Sequence, residues 1–128
     1  MKRLASIFII SFLLNIVWEN FHSFLYDNYM GGKITESVLL HATFADAMII
    51  TIISLPFIYI KFFKKRDWLI VVVGVVVAIA IEAWALQTGR WAYNSFMPLI
   101  PILSVGLTPI IQLGLLGYVS YRLTDHRT

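Results

Sequence analysis

Four long apolar runs, separated by short polar or basic segments, make up most of the chain. They go from Leu4 to about His22, from Val38 to about Ile60, from Trp68 to about Gln87 and from Pro101 to about Tyr121. Each holds about 20 residues, which at ~1.5 Å rise per residue is what a helix needs to cross a hydrocarbon core roughly 30 Å thick. None shows the alternation, over segments of about ten residues, of a membrane-spanning strand. The pattern predicts an all-α membrane protein, one domain over residues 1–128 built as a bundle of four transmembrane helices.

Composition agrees with the pattern. Of 128 residues, 59% are hydrophobic and 13% charged, far from the balance of a soluble domain. Lys2-Arg3 ahead of the first run resembles the start of a signal peptide. No small-x-small cleavage site follows, and the apolar character continues through Trp18 and Phe21, so the segment is expected to remain as a span. The absence of cysteine excludes disulfides and thiolate chemistry.

The basic residues act as punctuation. Lys2 and Arg3 precede the first run, Lys33 stands alone in the next loop, and Lys61, Lys64, Lys65 and Arg66 cluster after the second run. Arg90 stands alone after the third run, and Arg122 and Arg127 follow the fourth. By the positive-inside rule this alternation places both termini and the Lys61–Arg66 loop in the cytoplasm of a bacterial inner membrane, with the two longer loops outside. The excess positive charge is thus a topology signal, and no continuous basic patch for nucleic acid is present. Tyr26, Tyr29, Trp68, Trp91, Tyr93 and Tyr121 fall near the span ends, as interfacial aromatics do, and Gly31-Gly32 marks a turn.

Against this background the ionisable residues inside the runs stand out, because such groups at membrane depth are expensive and persist mainly where they pair, carry ions or do chemistry. Glu19 and His22 lie near the outer end of the first span, Asp46 ~12 Å deep in the second and Glu82 about one turn below the outer end of the third. His41 sits about one turn into the second span, with Gln112 near the middle of the fourth and Thr108 one turn from it. Asn15, Glu19 and His22 share one helical stripe, and Gly106, Gly114 and Gly117 allow close helix approach. Four spans each turning a polar group inward at similar depth would build one site opening outward, with Arg90 as an outer partner for Glu82 or Asp46. The plain alternative is a polar network that only holds the helices together.

Glu19-Asn20-Phe21-His22 is a Glu-x-x-His pair, the spacing found twice over in carboxylate-bridged di-iron bundles. With His41, Asp46 and Glu82 it supplies ligands enough for a divalent metal, which stays open as a cofactor. No phosphate-binding glycine loop, nucleotide fingerprint or Ser-His-Asp order is present.

Glu82, Gly89-Arg90-Trp91-Ala92-Tyr93 and Gly106-Leu107-Thr108-Pro109-Ile110-Ile111-Gln112 together resemble the pattern of a family of small bacterial four-span membrane proteins. More distantly the segment is similar to the membrane-embedded lycopene cyclases and carotenoid hydratases. On that resemblance Glu82 matches the first acid, Gly89, Trp91 and Tyr93 the turn, and Pro109 the proline of the next helix. Ile111 and Gln112 stand where the cyclases carry a glutamate pair. The resemblance implies non-redox acid–base chemistry on an isoprenoid or other apolar lipid. Asp46 or Glu82 would be the acid, Glu19 and His22 the relay, and Arg90, Trp91, Tyr93, Gln112 and His41 the substrate-binding wall. The alternative from another class is a small transporter, ion-binding or accessory subunit working as a homo-oligomer in the bilayer.

Overall fold

A computed structural model describes residues 2–29, 34–101 and 105–125. The turn read at Gly31-Gly32 and the charges Lys33 and Arg127 lie outside the described residues. The chain is mostly helical. Helix α1 spans Lys2–His22 and a 3₁₀ turn, Ser23–Leu25, leads into strand β1, Tyr26–Tyr29. Helix α2 spans Glu36–Tyr59, α3 is the single turn Lys61–Lys64, α4 spans Leu69–Gln87, β2 is Trp91–Tyr93 and α5 spans Leu107–Leu123. Three helical segments, Lys2–Leu25, Glu36–Tyr59 and Leu69–Gln87, are long and apolar enough to cross a membrane.

The fourth apolar run does not become helical at Pro101. Leu99 and Gly106 pair as an isolated bridge, Gly106 caps the helix in an extended conformation, and α5 starts only at Leu107. Pro98 and Pro101 lack the N–H groups a helix would need there, whereas Pro109 falls in the first turn, where no intrahelical partner is required. Gln112 is therefore the sixth residue of α5, closer to the helix start than its place in the apolar run indicates.

The two loops expected between spans contain an antiparallel ribbon. Tyr26 pairs with Tyr93, Asn28 with Ala92 and Tyr29 with Trp91, with an irregularity between Tyr26 and Asn28. Asn94 fastens the ribbon to the end of α1: its backbone N–H donates to the Leu25 carbonyl at 2.8 Å and its side-chain amide to the Phe24 carbonyl. The opposite end is tied by the termini. The Arg3 guanidinium donates to the Tyr121 carbonyl and to Thr124 Oγ1, both at 3.2 Å, and lies over the Tyr121 ring. Arg122 pairs with Asp67 at 3.0 Å, so the start of α1, the basic turn and the end of α5 share one end of the molecule.

Helix α1 reverses the arrangement of a soluble amphipathic helix. Its buried stripe is Ile7, Ser11, Asn15, Glu19 and His22, spaced to fall on one face, while Ile9, Leu13, Val17 and Phe21 point outward. Glu19 is 4% exposed and Phe21 75%, the ordering that an apolar surrounding favours and water would oppose. Helix α5 is covered along most of its length, with Gln112, Gly114 and Gly117 among its buried residues. It packs closely on α4, where a Cβ on Gly74 would overlap the Gly114 backbone and a Cβ on Gly114 would reach the Val71 carbonyl oxygen at 2.7 Å. Gly74 is thus a packing contact inside the valine-rich stretch of α4. Toward the terminal end, Ile50, Phe57, Ile70, Leu116 and Tyr121 close the core, with Tyr121 donating to the Phe57 carbonyl at 2.8 Å.

Candidate functional site

Gln112 is the hub where three helices meet. Its amide nitrogen lies 2.6 Å from Asn15 Oδ1, 3.0 Å from Glu19 Oε1 and 2.8 Å from Asp46 Oδ2. An amide nitrogen carries two hydrogens, so three acceptors compete for two donors. Asn15 is oriented independently, because its own amide donates to the Ser11 carbonyl at 2.6 Å and leaves Oδ1 facing Gln112. The Glu19 and Asp46 carboxyl groups also contact each other. On its other oxygen Glu19 binds His22 Nε2 at 2.8 Å, one helical turn away, and His22 Nδ1 lies 3.2 Å from Thr108 Oγ1. Thr108 in turn donates to Met97 Sδ at 3.4 Å.

Glu82 on α4 is held from the ribbon side. Tyr26 and Tyr93, cross-strand partners, both donate to its Oε1, at 2.9 and 2.7 Å. The Trp91 indole also approaches this carboxyl. Tyr93 accepts the Gly106 backbone N–H at 2.9 Å, so one phenol links α4 to the start of α5. Burial, followed by the hydrogen bond to Glu82, raises the Tyr93 phenol above its ordinary value, which keeps it a donor across the whole physiological range.

These two clusters share a cavity of about 500 Å³. Glu19, His22, His41, Asp46, Glu82, Trp91 and Gln112 all line it, together with Tyr26, Val38, Ala42, Ala45, Ile49, Ile81, Pro109 and Leu113. Asp46 is partly buried and His41 and Ala45 are exposed, so the cavity reaches the molecular surface along this stretch of α2, with Ile81 of α4 on the facing side. A concave, mainly apolar space with a few convergent polar groups is the usual form of a small-molecule site.

Of the residues expected to build the site, Asp46, Glu82, Glu19, His22, His41, Trp91 and Gln112 meet around the cavity. Tyr93 stands behind Glu82 instead of on the cavity wall. Arg90 is exposed, with its guanidinium 4.8 Å over the Trp84 ring, and Glu82, one of the two acids it was expected to meet, is taken up by Tyr26 and Tyr93. Tyr26 is the Glu82 contact and cavity-lining residue that sequence reading missed, since it counted only as an interfacial aromatic. Its local signal is weak, because Tyr26 and Tyr29 are three residues apart while Trp91 and Tyr93 are two apart, and they pair only through an irregularity between Tyr26 and Asn28.

Among the described residues no group of three or more His, Asp or Glu side chains is placed to hold an ion. Glu19 and His22 bond each other, His41 Nδ1 is engaged by the Ser37 carbonyl at 2.8 Å, and Glu82 is taken by two phenols. Comparison with protein-family models, with curated proteins and with solved structures returns no match.

Proposed function

We propose that this chain is a four-span membrane protein, with both termini and the Lys61–Arg66 turn on the cytoplasmic side of a bacterial inner membrane, whose cavity carries acid–base chemistry on an isoprenoid or other apolar lipid. In this reading α5 is the fourth span. The shared position of Arg3, Arg122 and the basic turn at one end supports the orientation, because cytoplasmic ends collect Lys and Arg.

The observation that carries the chemistry is the convergence of Glu19, Asp46 and Glu82 from three helices on one mainly apolar cavity. Two carboxyl groups in contact hold one proton between them, which puts an acid and its conjugate base at the same place. Transfer of that proton to a carbon–carbon double bond leaves a carboxylate and a carbocation. Loss of a proton from a neighbouring carbon to the carboxylate then yields an isomer with no oxidant or reductant consumed. Asp46, on the cavity wall, is the donor in this scheme, with Gln112 and Glu19 holding its position and His22 able to relay the proton.

The test is to express Asp46→Asn and Glu82→Gln in cells that make the candidate lipid and to measure product. Loss of product in both with folded protein present is expected, and unchanged product in both removes the reading. A detergent-corrected mass showing a dimer or larger, with no co-purified lipid and no product, would turn the assignment to a transporter or accessory subunit.

A further inference from the structure

We propose that the cavity takes a long-chain lipid whose head is neutral or cationic, an alcohol, carbonyl or amine, and rejects chains ending in phosphate or carboxylate. This rests on the reading of the cavity as a lipid site and adds the class of head group it accepts.

The argument is one of charge and hydrogen bonding. Three carboxyl groups line the space, and among the described residues that line it none is Lys or Arg. Phosphate recognition commonly uses guanidinium or ammonium groups, and the described side chains of this wall supply neither. The imidazoles do not substitute for them. His22 is committed to Glu19 at 2.8 Å, and His41 gives its Nδ1 hydrogen to the Ser37 carbonyl, so one nitrogen of each ring is already engaged. Among the described basic residues, Arg3 and Arg122 are occupied at the far end, and Arg90 lies over Trp84. An alcohol or amine, by contrast, finds acceptors in Asp46 and Glu82, while its chain lies along Ala42, Ala45 and Ile49 of α2.

The experiment compares geranylgeraniol, geranylgeranylamine and geranylgeranyl monophosphate, matched in chain and differing in head. Binding to the full-length purified protein in neutral detergent is measured by native mass spectrometry with competition titration. The alcohol and amine are expected to bind and the monophosphate to bind at least ~10-fold more weakly, since like charges placed together in a site oppose association strongly. Ala45→Lys, at an exposed position that accommodates a long side chain, supplies the missing cation and is expected to raise monophosphate binding relative to the alcohol. Monophosphate binding as tight as that of the alcohol, an Ala45→Lys variant with unchanged selectivity, or no binding of any of the three overturns the proposal. Selective binding combined with unchanged product in the Asp46→Asn and Glu82→Gln variants would leave it standing and remove the catalytic reading alone.

Discussion

Gln112 of α5 and Asp46 of α2, 66 residues apart in the chain, meet at 2.8 Å, and the same amide nitrogen reaches Asn15 and Glu19 of α1. One neutral side chain therefore supplies the donors that let acids from two helices approach each other. Gln112→Leu removes those donors and leaves three facing oxygens to compete for none. A loss of about 1–3 kcal/mol is expected, read as a lower thermal midpoint in detergent, with Gln112→Glu also destabilising because it brings a third acid to the cluster. A Gln112→Leu protein as stable as the parent would show that the contact carries no weight.

The two phenols on Glu82 are not equivalent. Among the described residues, the Tyr26 hydroxyl donates to the carboxyl, whereas the Tyr93 hydroxyl donates there and also accepts the Gly106 N–H. Tyr93→Phe should therefore destabilise more than Tyr26→Phe, by roughly 1 kcal/mol, the net worth of one further hydrogen bond. Equal thermal midpoints for the two variants would contradict this.

Tyr93 also sets a pH dependence. Its phenol is raised by burial and then by Glu82, so the folded state favours the neutral form over the tyrosinate. The stabilisation this gives is complete below the ordinary phenol value of ~10 and is lost only as pH rises toward the higher value of the folded protein. Ultraviolet difference titration of the folded protein, with Tyr93→Phe subtracted, should show no Tyr93 ionisation where an ordinary tyrosine titrates. A normal transition in the difference curve would refute the buried, Glu82-bound placement.

The glycines of the α4–α5 contact separate into two kinds. A Cβ on Gly114 would press on the Val71 backbone at 2.7 Å, but on Gly117 its nearest neighbour would be the Ile70 side chain at 3.4 Å, an ordinary contact. Gly114→Ala should destabilise by about 1–3 kcal/mol as an overpacked interface, and Gly117→Ala should change stability by less than ~1 kcal/mol. The order of their unfolding midpoints checks this.

The sequence alone determined where three membrane-length helices lie, because in an apolar medium the backbone must satisfy itself within each segment and hydropathy marks those segments directly. The ends of the first three agree within about two residues with Lys2–His22, Glu36–Tyr59 and Leu69–Gln87. It also marked Glu19, His22, Asp46, Glu82 and Gln112, since a polar residue inside an apolar run is conspicuous wherever the helix points. Tertiary structure decided the rest. The pairing of Tyr26 with Tyr93 joins two loops far apart in sequence, and neither short strand is long enough to announce itself. The late start of α5 followed from a turn around Pro98 and Pro101 that hydropathy does not register. Arg90 came to lie over Trp84, while Tyr26 and Tyr93 took up Glu82, because side-chain direction, unlike depth, is set by neighbours on other elements. Depth along a helix is a property of one segment, whereas the meeting of Gln112 with three oxygens depends on how several segments rotate against one another.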